Sequence, residues 1–323
     1  MFNPMLVPLD GSQLAECVLP HVVAFTRSFG TQTTLLRILE KKQTGISAQV
    51  FDLLNWQINK TRAALYLENT RAQLESVGLH VQTTVLEGLE AEGITEFAQN
   101  AGIKLIILSS HGRNGLTQWG ISNVTHKIIL SAPTSLLIVR ARQPAAFPAD
   151  GAETPLYRRI LVPLDGSQRA ENVLPIITQL ARFHQAQIHL AQVIQTPEMA
   201  RQMPPTPEDF DLSSRLMARN RAEAGRALEQ VQARLSLAGV MVQTHLLTSE
   251  NAALALHQLT EQENIDLVAL SAHGYSGNHQ WPYGSLVNNF ILYGKISLLI
   301  VQDLPTKMEP TAPTLLSSER AGR

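Results

Sequence analysis

Short runs of aliphatic and β-branched residues alternate along the chain with longer stretches in which polar and apolar residues are mixed. The short runs predict strands, for example at Met5–Pro8, Thr33–Leu39 and His80–Leu86 in the first half. The longer stretches predict helices, and the two longest are followed by Gly78 and Gly239, where a glycine commonly ends a helix. Because strands that alternate with helices form a parallel sheet covered on both faces, the pattern predicts an α/β fold.

The second half of the chain repeats the first. Leu6–Pro20 reads L-V-P-L-D-G-S-Q-L-A-E-C-V-L-P and matches Leu161–Pro175 at 13 of 15 positions. The segment S-L-L-I-V occurs at Ser135–Val139 and again at Ser297–Val301. Since these repeats lie at the start and the end of each half, the chain is predicted to be a tandem duplication of one domain.

Each domain is expected to hold a five-stranded parallel sheet of order 3-2-1-4-5 with helices on both faces, because right-handed crossovers limit the topology. The S-L-L-I-V strands lie at sheet edges, so the two domains are predicted to pair as an intramolecular pseudo-dimer, and two chains could form a homodimer. Prolines at 204–207 predict a surface loop over Thr196–Asp211. The predicted boundaries are domain 1 at 1–142, a linker at 143–157, domain 2 at 158–303 and a disordered tail at 304–323.

Two loops of each half are predicted to meet at one crevice. In a 3-2-1-4-5 sheet, ligands bind between the C-terminal ends of strands 1 and 4. L-D-G-S follows strand 1, and S-x-H-G follows strand 4 at Ser109–Gly112 and Ser271–Gly274. The helix after the second loop offers unpaired N–H groups and a positive dipole end, which suit a phosphate. The alternative is purely structural: a βα loop with a serine cap, and an Asp-Gly-Ser turn in which the carboxylate accepts backbone N–H groups.

Composition and charge exclude several classes of function. A chain with 44% hydrophobic residues, 16% charged residues and a net charge of −1 is globular, and nothing in it favours a nucleic-acid partner. The single cysteine, Cys17, excludes an internal disulfide, and no H-E-x-x-H or paired-cysteine pattern indicates a metal site. Neither a signal peptide nor a membrane-spanning run is recognisable, so a cytoplasmic protein without a membrane partner is expected.

The motifs resemble those of the universal stress protein (UspA) family in its tandem two-domain form. The resemblance rests on V-P-L-D-G-S with the following A-E, on S-x-H-G, on the glycine–serine start of the fourth helix and on S-L-L-I-V. It implies a Rossmann-like, adenine nucleotide alpha hydrolase-like fold and a role in stress response or signalling. The nucleotide-binding branch of the family carries G-x-x-G, nine residues, then G and S or T. Membership of that branch implies ATP as the ligand, with or without Mg²⁺.

Carried onto this sequence, the resemblance implies the more complete site in the second half, where only the first glycine of the motif is replaced, by Ser271. The implied binding residues there are Pro163, Leu164, Asp165, Val193, Ser271, His273, Gly274, Gly284, Ser285 and Leu286. The first half has Ser122-Asn123 in place of Gly-Ser and implies a weaker site. Its residues are Pro8, Asp10, Ile38, Ser109, His111, Gly112, Ser122 and Asn123. Ser285 and Asn123 are expected to cap their helices.

The predicted function is an ATP-binding or adenine-nucleotide-binding module that is not an enzyme, or that hydrolyses ATP only weakly. His111 and His273 have no carboxylate or nucleophile at a telling spacing, and hydrogen bonding within their loops is the expected role. The main alternative is a nucleotide-free interaction protein of the same fold, which the departures from the motif favour. An adenylating enzyme would need S-G-G-x-D-S after strand 1, where this chain has only L-D-G-S.

Overall fold

The structure is a computed structural model that describes residues 2–40, 49–113, 121–141, 156–195, 207–274 and 282–302. The strands are β1 (Met5–Pro8), β2 (Thr33–Leu39), β3 (Val81–Glu87), β4 (Leu105–Ser109), β5 (Ser135–Val139), β6 (Arg159–Pro163), β7 (Gln187–Ile194), β8 (Met241–Thr248), β9 (Leu267–Ser271) and β10 (Ser297–Val301). The helices are α1 (Leu19–Phe29), α2 (Gln49–Glu75), α3 (Glu90–Asn100), α4 (Asn123–Ser131), α5 (Leu174–His184), α6 (Pro207–Leu237), α7 (Ala252–Gln262) and α8 (Ser285–Tyr293).

All of these strands belong to one sheet of order β3-β2-β1-β4-β5-β10-β9-β6-β7-β8. Each half is parallel and has the predicted 3-2-1-4-5 order. The halves join where β5 pairs with β10 in antiparallel fashion, with Leu137 opposite Leu299. The two apolar edge strands therefore cover each other within one chain, as predicted for a pseudo-dimer.

Helices cover both faces of the sheet. The residues Leu105–Leu108 of β4 and Leu267–Leu270 of β9 are buried at every position, as expected for strands with cores on both sides. One core lies under α1, α2, α5 and α6, and the other under α3, α4, α7 and α8. Both cores run through the two domains, so the carboxyl ends of the parallel strands are held at fixed positions.

Two segments depart from the predictions. Helix α6 begins at Pro207, so Pro207–Asp211 is helical and not part of the predicted loop, because a proline is tolerated in the first turn of a helix. The rest of that loop and the predicted tail lie outside the described residues. So does the predicted linker, except for Leu156 and Tyr157. Tyr157 is 1% exposed and packs between the two domains, so it belongs to the folded core.

Arg140 follows β5 and reaches into the other domain. Its guanidinium donates to the carbonyl oxygens of Phe290 and Ile291 at 2.6 and 2.9 Å. These carbonyls lie in the last turns of α8, where the helix dipole favours a cation. The carbonyl of Phe290 also accepts from the backbone N–H of Gly294 at 3.0 Å. Burial lowers the pKa of Arg140 to about 10, so the guanidinium is charged at neutral pH.

Arg140→Met is expected to lower the free energy of unfolding by about 2–4 kcal/mol, because it removes two charge-assisted hydrogen bonds and takes the arginine donor from the Ile291 carbonyl. Urea unfolding followed by circular dichroism measures the change. The control is Arg182→Met at an exposed position of α5, where a change within about 0.5 kcal/mol is expected. Equal losses in the two variants would show that the contact with α8 contributes nothing.

Candidate functional site

A cleft of about 190 Å³ opens at the carboxyl ends of β6 and β9. All of the second-domain residues singled out from the sequence line it: Pro163, Leu164, Asp165, Val193, Ser271, His273, Gly274, Gly284, Ser285 and Leu286. The remaining lining residues are small or aliphatic: Ala170, Ala191, Ala252, Leu256, Leu270, Ala272 and Val287. Ala170 belongs to the A-E that follows L-D-G-S, and Ala272 lies inside S-x-H-G. Strand periodicity was a signal for Ala191, which lies two residues before Val193 and shares its face of β7.

The Asp-Gly-Ser segments form the turns that the structural alternative predicts. In the second domain the backbone N–H of Ser167 donates to Oδ1 of Asp165 at 2.9 Å. In the first domain the N–H and the hydroxyl of Ser12 donate to Oδ1 of Asp10 at 2.9 and 2.6 Å. One carboxylate oxygen of each aspartate therefore stabilises its own loop.

The second carboxylate oxygen of each aspartate joins the two loops of its domain. Oδ2 of Asp165 lies directly over Gly274, and Oδ2 of Asp10 lies over Gly112, so closely that a Cβ at either glycine would overlap it. The glycines are thus required for the close approach of strand-1 and strand-4 loops. The contact fixes Asp165 at the mouth of the cleft, where its side chain is exposed.

Helix α8 begins at the wall of the cleft, and no side chain of the described residues caps it. Its N-cap residue is Gly284, and Ser285 is the first helical residue, so the prediction of Ser285 as the cap is wrong. The N–H of Gly284 donates to the carbonyl of Ala272 at 2.9 Å, which ties the helix start to the strand-4 loop. The first-turn N–H groups, including those of Leu286 and Val287, have no acceptor within the helix. They lie in the wall of the cleft, so the helix presents free donors and its positive end there.

The equivalent helix of the first domain is capped by its own sequence. Ser122 is the N-cap of α4, and its hydroxyl accepts from the N–H of Thr125 at 3.2 Å. Asn123, predicted as the cap, is the first helical residue, so that prediction is wrong too. The helix boundary shifts by one residue in both domains because the residue before the first helical one has extended dihedral angles. In the first domain a side chain therefore accepts from one first-turn N–H group of the helix, whereas the equivalent N–H group of the second domain faces the cleft.

Arginines further distinguish the first-domain crevice. The backbone N–H of Arg113 donates to Oδ2 of Asp10 at 2.5 Å, and its guanidinium donates to the carbonyl of Asp10. Arg37 lies 5.2 Å from the ring centre of Tyr66. Burial and, second, the charge of Arg113 lower the pKa of Arg37. The second domain has the uncharged Gln192 at the position of Arg37, so the two crevices differ in charge.

The other first-domain candidates lie around the same crevice. Pro8 ends β1, Ile38 lies near the end of β2, and Ser109 ends β4 and accepts from the Thr125 hydroxyl through its carbonyl at 3.0 Å. The imidazole of His111 is buried, with Nδ1 3.1 Å from the hydroxyl of Ser110. This is the hydrogen bonding within the loop that was expected of the histidine.

Two polar side chains of the second domain are buried beside the cleft. Ser271 is 6% exposed, and its hydroxyl has no hydrogen-bond partner among the described residues. His273 is 2% exposed. A buried hydroxyl without a partner costs free energy unless a ligand or water completes it. An uncapped helix start, an exposed carboxylate and a free hydroxyl fit a ligand that carries phosphate and hydroxyl groups.

Comparisons with known proteins agree with this fold. The model of the universal stress protein family matches residues 1–140 and 156–302. A universal stress protein of Methanocaldococcus jannaschii is 27% identical over 157 residues, which are 44% of this chain and 97% of that protein. One of Bacillus subtilis is 27% identical over 149 residues, 43% of this chain and 100% of that protein. Each relative therefore corresponds to one of the two domains.

A solved structure of a universal stress protein from Archaeoglobus fulgidus extends the likeness to both domains. It superposes with a TM-score of 0.63 at 15% sequence identity, covering 94% of this chain and 99% of that one. At this identity the match shows the fold alone. Within the described residues, no helix is both long enough and apolar enough to cross a membrane.

Proposed function

The chain belongs to the universal stress protein family, and we propose that it is an ATP-binding module of a stress or signalling response in the cytoplasm, with the stronger site in the second domain. The observation that supports this proposal most directly is the start of α8. Within the part of the chain that the structure describes, no side chain caps its first-turn N–H groups, and they open into the cleft beside Asp165. A helix terminus of this kind binds phosphate through its N–H groups and its dipole.

The lining residues divide among the parts of a nucleotide. The start of α8, with the hydroxyl of Ser271, would hold the phosphates. Asp165 offers an exposed carboxylate to a ribose hydroxyl, since a carboxylate can accept about four hydrogen bonds. Val193 and Pro163 form an apolar wall for the base. Asp165 is the one carboxylate among the described lining residues, so Mg²⁺ would be held chiefly by the phosphates.

The same residues support a binding module with at most weak hydrolysis. A hydrolase needs a group that positions or activates the attacking water. Among the described lining residues, Asp165 and His273 are the groups able to accept a proton. Asp165 already holds a turn, and His273 is buried in the strand-4 loop. We therefore propose that phosphate release from bound ATP is slow or absent, which a phosphate-release assay measures.

Gly284→Ser gives α8 the cap that Ser122 gives α4, and it is expected to weaken ATP binding about tenfold, because the hydroxyl takes an N–H group from the phosphates. Calorimetric titration of ATP into the full chain, with and without Mg²⁺, measures the effect. The fold should be unaffected, since a Cβ at position 284 would meet only the Ala272 carbonyl oxygen at 3.7 Å and Cα of His273 at 4.0 Å.

Two controls accompany this variant. Gly284→Ala adds the same Cβ without the hydroxyl and should retain most of the affinity. Ser122→Gly removes the cap of α4 at a cost of a few tenths of a kcal/mol, roughly, and should leave the second-domain site unchanged. If Gly284→Ser bound ATP as tightly as the parent chain, the phosphates would not lie at α8.

The stoichiometry of the parent chain tests the rest of the proposal. Saturation near one equivalent of ATP is expected if the capped, arginine-lined first domain is the weaker site. Saturation near two equivalents would show that the first domain binds as well. No heat at several temperatures would favour the nucleotide-free interaction protein, for which the cap of Ser122 in the first domain is the supporting observation.

A further inference from the structure

Three side chains from distant parts of the sequence meet on the second domain's outer strands. His189 lies on β7, His245 on the neighbouring β8, and Glu263 directly follows α7. Nδ1 of His189 is 3.0 Å from Nε2 of His245 and 3.9 Å from Oε2 of Glu263. One ligand-type atom from each residue lies within 4.8 Å of the others. The cluster shares the face of β7 with Ala191 but lies further from the carboxyl ends of the strands than the cleft does.

These separations suit one tetrahedral ion. With metal–nitrogen and metal–oxygen bonds of about 2.0–2.2 Å, neighbouring ligand atoms of a tetrahedral site lie about 3.3–3.5 Å apart. The two measured separations bracket that spacing, so small side-chain movements would bring all three atoms onto one ion. Two imidazoles and a carboxylate are a usual ligand set for Zn²⁺, whereas Mg²⁺ and Ca²⁺ prefer sites made of oxygen alone.

The charges around the cluster act on a cation in opposite directions. Glu263 lies at the carboxyl end of α7, where the helix dipole favours positive charge. The guanidinium of Arg159 opposes a second cation, because its charge acts on His189, although its hydrogen bond goes to the backbone carbonyl of Glu263 at 3.2 Å.

His189 is costly to bury, since its side chain is 1% exposed and its Nε2 has no hydrogen-bond partner among the described residues. Nδ1 is the nitrogen that faces His245 and Glu263, so an ion there would leave Nε2 unchanged, and this cost does not by itself argue for a metal. The first domain shows that the fold does not need His189, because strand register places Thr34 and Thr84 where the second domain has His189 and His245. Ala101 takes the place of Glu263 after the equivalent helix.

We propose that His189, His245 and Glu263 form a binding site for a divalent transition-metal ion of the Zn²⁺ type. His245 and Glu263 are half-buried, so a fourth coordination position faces solvent and takes water. The bound ion joins β7, β8 and the end of α7. Since Ala252 and Leu256 of α7 line the cleft, the ion stabilises one wall of the candidate nucleotide site. The metal site itself does not depend on what the cleft binds.

The test titrates ZnCl₂ into the full chain after chelator treatment and dialysis, with no nucleotide present. About one equivalent of Zn²⁺ is expected to bind and to raise the midpoint of thermal unfolding. His245→Thr and Glu263→Ala introduce the residues of the first domain, so they are tolerated by the fold. Each is expected to weaken Zn²⁺ binding roughly 100-fold and to remove the thermal shift.

Matched controls separate this site from surface binding. Glu261→Ala removes an exposed carboxylate two residues from Glu263, and His80→Gln removes an exposed histidine of the first domain. Both should bind Zn²⁺ like the parent chain. The visible spectrum of Co²⁺ bound in place of Zn²⁺ should show tetrahedral coordination. No binding by the parent chain, or binding that His245→Thr and Glu263→Ala leave unchanged, would show that the cluster is only a hydrogen-bonded histidine pair.

Discussion

Gly274→Ala is expected to weaken ATP binding about 10- to 100-fold and to lower the free energy of unfolding by about 1–3 kcal/mol. The added Cβ would overlap Oδ2 of Asp165. This overlap can be relieved in two ways. Either the carboxylate of Asp165 rotates, which breaks its hydrogen bond to Ser167, or the strand-4 loop moves away from β6. The first movement takes Asp165 out of its position at the mouth of the cleft, and the second separates the two loops that form this mouth. Calorimetry with ATP and urea unfolding measure the two effects.

The duplicated chain supplies the control. Gly112→Ala creates the same overlap with Asp10 in the first domain, so a similar loss of stability is expected without a change in the affinity of the second-domain site. A variant with both Gly274→Ala and Asp165→Ala removes the overlapping oxygen. The loss of unfolding free energy in this double variant should be smaller than the sum of the losses in the two single variants, while ATP binding stays weak. Strictly additive stabilities would mean that the contact between Asp165 and Gly274 has no energetic weight.

The sequence predicted the fold and the location of the cleft because both follow from order along the chain. Alternating strands and helices with right-handed crossovers permit few topologies, and the carboxyl ends of β6 and β9 must then lie side by side. The repeated L-D-G-S and S-x-H-G segments marked the loops at those ends. The pairing of β5 with β10 was predictable for a similar reason, since each strand is apolar and lies at the edge of its own domain.

Single-residue details were less accessible to sequence reasoning. Whether Gly284 or Ser285 caps α8 depends on one pair of dihedral angles, which a Gly-Ser motif leaves open. The contact of Arg140 with α8 depends on how the two domains face each other, and no local pattern encodes it. The cluster of His189, His245 and Glu263 likewise arises from strand register and a helix end. None of its members is close enough to another in sequence to form a motif.

The stability of the protein is expected to fall by about 5 kcal/mol between pH 7 and pH 4.5 because of two histidines between the domains, the half-buried His21 and the buried His184. Nδ1 of His21 lies 2.5 Å from the hydroxyl of Tyr157, and the ring of His184 packs edge-on against Tyr157. Burial lowers the pKa of each histidine from 6.5 to about 4. The unfolded chain therefore takes up protons below pH 6.5, whereas the folded chain takes them up only near pH 4. This difference favours unfolding progressively across that interval.

A paired substitution isolates the contribution of one histidine. His21→Phe together with Tyr157→Phe removes both partners of the hydrogen bond, so no buried polar atom of that pair is left without a partner. The part of the fall in unfolding free energy between pH 7 and pH 4.5 that comes from the two histidines should be about half as large in the double variant as in the parent chain. Urea unfolding at several pH values measures both curves, and carboxylates common to the two chains cancel in the comparison. Parallel curves would contradict the prediction, because they would mean that His21 takes up its proton equally in the folded and unfolded states.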